Sequence, residues 1–204
     1  MARAKRRQSP PGAVRIIGGA WRRRKIPLPE GVDLRPTPDR VRETLFNWLA
    51  PRLPGAMCLD LFAGTGALGF EALSRGASRA VLVERDPRAV AALKRLRDEL
   101  AAPAGVVRAA AADWLAGQPP ELFDIVFVDP PYSLPVDGLF AALPPLLAPG
   151  ACIYLERPRA EAWPQLPGYV WTRRSTAGAV AFGLAERAGS DFSGNLPPGL
   201  QSAR

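Results

Sequence analysis

The sequence contains no histidine and only two cysteines, Cys58 and Cys152, among 204 residues. Without imidazole there is no Ser-His-Asp triad, no histidine base and no HExxH zinc site. Two cysteines are too few for a four-cysteine zinc site or a disulfide-stapled scaffold. Isolated thiols fit a reducing, cytoplasmic setting. No apolar run approaches the ~18 residues of a membrane span. The basic N-terminus lacks the apolar stretch and cleavage site of a signal peptide. Apolar residues make up 48% of the chain, enough for the core of one domain with an appendage.

The net charge of +8 is unevenly placed. Residues 1–52 hold 13 Lys/Arg against 4 Asp/Glu, and the remainder holds 14 against 15, so the whole excess lies in the first quarter. Residues 1–36 read as a basic arm, partly disordered and most clearly so over 1–12. Residues 37–187 read as the main domain and 188–204 as a loose tail. Within 15–42 the cations Arg15, Arg22, Arg23, Arg24, Lys25, Arg35, Arg40 and Arg42 are interleaved with Ile16, Ile17, Trp21, Ile26 and Leu28. That mixture favours an ordered polyanion-binding segment, because guanidinium forks suit phosphates and aromatic faces stack on bases.

Thr37 before Pro38 predicts a capped helix from about 38 to 49, with Val41, Leu45, Phe46 and Leu49 on its apolar face. Strand and helix then alternate. Strands are predicted at 57–62, 79–84, 106–111, 123–128 and 151–156. Helices follow Gly66 to about Arg75, run from the Asp86-Pro87 cap to about Ala101, and cover 136–147. A hairpin of 170–175 and 180–186 turns about Ala177-Gly178. Repeated βα units predict an α/β, Rossmann-like fold with a mostly parallel sheet and an antiparallel edge.

Gly64-Thr65-Gly66-Ala67-Leu68-Gly69 matches G-x-G-x-x-G between a strand and a helix, and Glu84 lies 20 residues beyond Gly64. The glycines admit a ligand close to the backbone, and an acid at the end of the second strand can accept from ribose hydroxyls. These features fit NAD and S-adenosylmethionine equally. Asp60 favours the second, since a carboxylate in a buried strand needs a partner such as the ammonium group of a methionine. Asp113, after the third strand, is placed to accept from an adenine amine. Asp60, Glu84 and Asp113 thus line one edge of the sheet, where open α/β folds bind ligands.

Asp129-Pro130-Pro131-Tyr132 at the end of the fourth strand is the most specific signal. The prolines stiffen the turn and cannot donate, which leaves the Pro130 carbonyl as an acceptor beside the Asp129 carboxylate. Tyr132 adds a flat face. Two acceptors aimed at an exocyclic base amine would localise its lone pair toward a sulfonium methyl, so that positioning and electrostatics carry the transfer. The scheme needs neither metal nor histidine.

With these motifs, together with Arg15-Ile16-Ile17-Gly18-Gly19 and the run from Arg35 through Thr37, Arg40 and Arg42 to Leu49, the sequence resembles class I S-adenosylmethionine-dependent methyltransferases. It is most similar to the RsmD family of bacterial 16S ribosomal RNA guanine-N2 methyltransferases over about 14–187. The resemblance implies that Asp60, Gly64, Thr65 and Gly66 frame the methionine end of the cofactor, that Glu84 holds the ribose, and that Asp113 lies near the adenine. It implies that Asp129, Pro130, Pro131 and Tyr132 receive the guanine, with Thr37, Arg40 and Arg42 near the cofactor and RNA entrance. The implied partner is 16S rRNA in the 30S subunit or an assembly intermediate; a monomer is expected because the sequence leaves no apolar surplus. Arg23 stands where the family pattern leads to an expectation of glycine, and the 173–178 turn lacks an expected tyrosine-glycine pair. The competing readings are a DNA or other RNA adenine or cytosine amino-methyltransferase, an NAD-dependent oxidoreductase, and an RNA-binding protein on a decayed methyltransferase fold. The first lacks a target-recognition domain here, the second leaves the Asp-Pro-Pro-Tyr turn unexplained, and the third sits poorly with intact motifs.

Overall fold

A computed structural model of the chain describes residues 13–29, 31–32, 37–117, 122–132 and 134–188. The readings made for residues 1–12, for Arg35 and for the tail beyond 188 fall outside them.

A seven-stranded sheet is built from β3 (Met57–Asp60), β4 (Arg79–Glu84), β5 (Ala104–Arg108), β6 (Phe123–Val128), β7 (Leu147–Pro158), β8 (Tyr169–Ala177) and β9 (Val180–Arg187). Its order is β5-β4-β3-β6-β7-β9-β8. The first five pair in parallel, while β9 is antiparallel to both β7 and the edge strand β8. The chain moves outward from β3 to β5 and then returns to β6, so its direction reverses between β3 and β6. Open α/β sheets bind ligands at such a reversal, beyond the carboxyl ends of the strands.

Strand residues alternate between two cores. Cys58, Leu82, Phe127, Tyr154 and Phe182 join a layer with α1 (Asp39–Leu49), α2 (Ala67–Ser74) and α3 (Pro87–Leu100). Leu59, Val81, Val83 and Val126 join the opposite layer with α4 (Ala111–Ala116) and α5 (Asp137–Ala142). Asp86 caps α3 as expected, its Oδ1 accepting from the Arg88 amide at 2.8 Å.

Some expectations require correction. Thr37 does not cap α1, which starts at Asp39 after an extended Pro38 and has no side-chain cap. The helix expected over 136–147 breaks after Ala142 into a 3-10 turn at Pro144–Leu146, because successive prolines cannot extend it. Strand β7 begins at Leu147 and absorbs Pro149-Gly150 through an irregularity in its register with β6. The third strand ends at Arg108, earlier than expected, and α4 follows where none was expected.

Of the segment assigned to the arm, residues 13–29 pack against the body. Strands β1 (Ala13–Arg15) and β2 (Lys25–Pro27) pair antiparallel, and Val14, Ile16 and Ile26 are buried in the same core as α1 and α2. Glu71 of α2 fastens them. Its carboxylate accepts from the Ile17 amide at 2.7 Å, the Gly18 amide at 2.8 Å and Arg75 Nε at 2.7 Å. Arg42 of α1 lies 3.5 Å from the same carboxylate and donates to Asp39 at 2.7 Å. One turn on, Ser74 Oγ donates to the Gly18 carbonyl and accepts from the Trp21 amide. A Cβ on Gly19 would stand 1.7 Å from the Ser74 carbonyl oxygen, so only glycine fits. Arg23 has φ +73, a left-handed conformation that explains the expectation of glycine there.

Both Arg42 and Glu71 are fully buried. Glu71→Ala strands a buried guanidinium and two amides. It should cost about 3–5 kcal/mol, seen as a fall of roughly 10 °C in thermal midpoint by circular dichroism. A fall under about 2 °C would show that the carboxylate is dispensable.

Candidate active site

The reversal point brings the expected acids together. Asp60 ends β3, and Asp129 follows β6 on the adjacent strand, two residues beyond Phe127, the ladder partner of Asp60. The loop between β3 and α2 is stitched to both neighbours: the Leu61 amide donates to the Phe127 carbonyl and the Ala63 amide to the Val83 carbonyl. Gly66 turns the loop at φ +81 into α2, where a Cβ would meet Phe70 and Leu93 within 2.7 Å. At Gly69 a Cβ would lie 2.2 Å from Leu82, so this glycine lets α2 sit down on β4.

Asp60 is buried, and its Oδ2 accepts from the Gly69 amide at 3.2 Å, while Oδ1 has no hydrogen-bond partner among the described residues. Burial, and next the charge of Asp129, push its carboxyl up to about 7. Burial pushes Asp129 up to about 6, and the Thr37 hydroxyl, donating to its Oδ2 at 3.0 Å, works against that rise. Thr37, once relieved of the capping role, therefore orients Asp129. Glu84 accepts from the Gly64 amide at 2.9 Å and from the Asp86 amide at 2.8 Å, which fixes its carboxylate at the mouth of the loop. Thr65 accepts from the Ala67 amide at 3.3 Å and serves the first turn of α2. Asp113 is exposed in the first turn of α4.

Beyond β6 the Leu134 amide donates to the Pro131 carbonyl at 2.9 Å and closes the turn around Tyr132, which is 43% exposed. A cleft of about 340 Å³ opens there, with Pro130, Pro131 and Tyr132 on one side and the end of β7 on the other.

The cations divide. Arg42 is not available to RNA: it is 0% exposed and committed to Asp39 and Glu71. Arg40, Arg22, Arg23, Arg24 and Lys25 are exposed. Arg15 pairs with Asp39 and Arg24 with Glu99. The 22–25 turn sits beside Ser74, at the opposite end of α2 from the glycine loop. Eight residues of helix at ~1.5 Å each set it about 12 Å away. Glu71 was missed in the sequence; the signal was a lone carboxylate in the otherwise apolar Ala67–Ser74 helix.

The strand order, the glycine loop and the acids at the reversal define a class I S-adenosylmethionine-dependent methyltransferase. A family described as Conserved hypothetical protein 95 matches residues 14–185. The chain belongs to that family, which is the family of ribosomal RNA small subunit methyltransferase D. The protein of that name from Escherichia coli K12 is 48% identical over 188 residues, covering 86% of this chain and 91% of the relative. Its counterpart from Haemophilus influenzae is 40% identical over 183 residues, covering 85% and 93%. A solved Escherichia coli structure assigned as a methyltransferase superposes with a TM-score of 0.79 at 46% identity, covering 86% of this chain and 98% of that one. The Thermus thermophilus 16S rRNA N2 G1207 methyltransferase, in complex with AdoMet and guanosine, shares the fold at a TM-score of 0.65 and 22% identity, covering 86% and 49%.

The raised carboxyl of Asp60 has a measurable cost. A folded-state value above the unfolded one favours folding below the ordinary carboxylate range and loses that contribution as pH rises through about 7. Asp60→Asn removes the loss. The ligand-free variant should gain about 2–3 kcal/mol on the parent between pH 5 and pH 8, by denaturant unfolding at each pH. A pH-independent difference would mean that Asp60 ionises without penalty.

Proposed function

We propose that the protein transfers a methyl group from S-adenosylmethionine to the exocyclic N2 amine of a guanine in 16S ribosomal RNA, presented in the 30S subunit or an assembly intermediate in the cytoplasm. The observation that carries this reading is Asp129, held by Thr37 beside the Pro-Pro turn and one strand from Asp60 and the glycine loop. Membership of the family and the names of its relatives support it.

The residues fit the methyl donor. The orphaned Oδ1 of Asp60 suits the donor's ammonium group, since a buried unpaired acceptor is costly. Glu84, already oriented by two amides, retains capacity for ribose hydroxyls, and Asp113 stands toward the adenine. The donor supplies a methyl activated on a sulfonium. The chain's residues align the acceptor: Asp129 and the Pro130 carbonyl accept the two amine N–H bonds, turn the nitrogen lone pair toward the methyl, and exclude water. The S–CH₃ bond breaks as the N–CH₃ bond forms. The positive charge passes from sulfur to nitrogen and is discharged by loss of one amine proton. Asp129, ionised above about 6, is the acceptor at hand. Tyr132 stacks on the base. Arg15, Arg22, Arg23, Arg24, Lys25, Arg35 and Arg40 contact phosphates, those of the 22–25 turn several nucleotides from the target.

Asp129→Ala should lower methyl transfer to unmodified 30S particles by about 10³-fold or more. Titration calorimetry should show S-adenosylmethionine binding retained, and no NAD binding by either protein. Substantial residual activity sinks the mechanism, and NAD binding in place of S-adenosylmethionine ends the methyltransferase reading. Replacing Arg22, Arg23 and Lys25 together by alanine should reduce the slope of log affinity for RNA against log salt by about 0.7 for each phosphate left unneutralised. An unchanged slope would remove this turn from the RNA interface.

A further inference from the structure

The cleft beside the tetrad has a wall that the methyl-transfer step does not use, the end of β7. In the parallel β6–β7 ladder Phe127 pairs with Tyr154 and Val128 with Leu155. Asp129 and Glu156 come next on the two strands, following Phe127 and Tyr154 on one face of the sheet. Glu156 is 5% exposed and lines the cleft together with Pro130, Pro131 and Tyr132. The Tyr154 hydroxyl donates to Glu156 Oε2 at 3.1 Å and sets the direction of the carboxylate. Burial, followed by the charges of Glu156 and Asp129, opposes ionisation of Tyr154, so it remains a donor. An ionised carboxylate offers about four acceptor positions, so Glu156 can accept from a base beside the contacts it already makes.

The Watson–Crick edge of guanine presents N1–H directly beside the N2 amine. Adenine and 2-aminopurine carry an unprotonated acceptor at N1. A base whose N2 amine is held at Asp129 and Pro130 can turn its N1 toward the end of β7, the neighbour of β6 that walls the cleft. Resting on the guanine-N2 reading above, we infer that Glu156 accepts the N1–H of the target guanine and is the residue that selects guanine over purines lacking that proton. A carboxylate meeting an N1 lone pair finds acceptor against acceptor in a water-poor cleft, and a site built around one hydrogen bond rejects the analogue without it far more strongly than shape alone can. Glu156 is thereby a specificity residue, distinct from the acceptors that act on N2.

The test uses 30S particles assembled from 16S RNA carrying either guanine or 2-aminopurine at the target position, first located by nucleoside analysis of the wild-type product. 2-Aminopurine keeps the N2 amine and lacks N1–H. The wild type should methylate the guanine particle at least about 100-fold faster. Glu156→Gln, whose amide can donate to the unprotonated N1 of 2-aminopurine, should cut that ratio to about 10 or below. Its S-adenosylmethionine affinity and thermal midpoint should stay at wild-type values. Equal wild-type rates on the two particles overturn the assignment, whether or not the variant folds, and so does a folded variant that keeps the wild-type ratio. A wild-type product other than N2-methylguanosine would instead defeat the underlying guanine-N2 reading, at the mapping step and before the two bases are compared.

Discussion

The carboxylate of Glu71 holds together parts of the chain that sequence separates widely. It receives two backbone amides of the N-terminal segment and faces the guanidinium groups of Arg75 and Arg42. Through Arg42 it fixes α1, and the start of α1 fixes Thr37. Thr37 in turn holds Asp129. Asp129 is thus tied to the back of α2 by polar contacts at Glu71, Arg42 and Thr37, joined through the start of α1. All of them lie in or against the apolar layer that also contains Phe46, Phe127 and Tyr154. Arg75 adds a further tie, its guanidinium 5.1 Å from the centre of the Phe46 ring. Low-dielectric surroundings make such contacts worth more when complete and more damaging when broken.

The same surroundings set the chemistry. Two carboxyls, Asp60 buried and Asp129 half-buried, stand on adjacent strand ends; desolvation raises both, and the charge of Asp129 adds to the rise at Asp60. In water neither would distinguish itself from a surface aspartate. On the function proposed above, Asp60 would meet the cation of the methyl donor, while Asp129, tempered by one hydroxyl, would accept N–H bonds. The structure maintains these acids at a cost in stability, as functional sites commonly do.

Much of this was legible in the sequence. Strands β4 and β6 occupy 79–84 and 123–128 as predicted, because each is a short apolar run bounded by turn residues. The glycine loop and the tetrad flagged themselves by residue types that a plain turn does not need. Arg42 escaped because charge was read as exposure, although positions 41, 42, 45, 46 and 49 form one buried stripe and 42 lies within it. Thr37 was placed near the site, but its bond to Asp129 escaped because a threonine before Pro-Asp satisfies the local rule for a cap, and only the distant Asp129, 92 residues away, outbids that rule. The packing of residues 13–29 escaped because their apolar residues, interleaved with arginines, were read as part of a polyanion-binding surface. Val14, Ile16 and Ile26 instead share a core with α1 and α2.

Strand β9 lies between β7 and β8 in the sheet. Strand β8 therefore leaves the ribosome with no neighbour to join, and its place opens only when residues 180–187 have followed it. Phe182 arrives with them, to pack against Trp48 and Tyr154. The β3–β4–β5 half can assemble long before, but the wall bearing Tyr154 stays uncovered until synthesis has nearly passed the whole sheet. Late strand insertion of this kind leaves an apolar edge exposed during growth. The last of the described strands to emerge is the one that seals the interior.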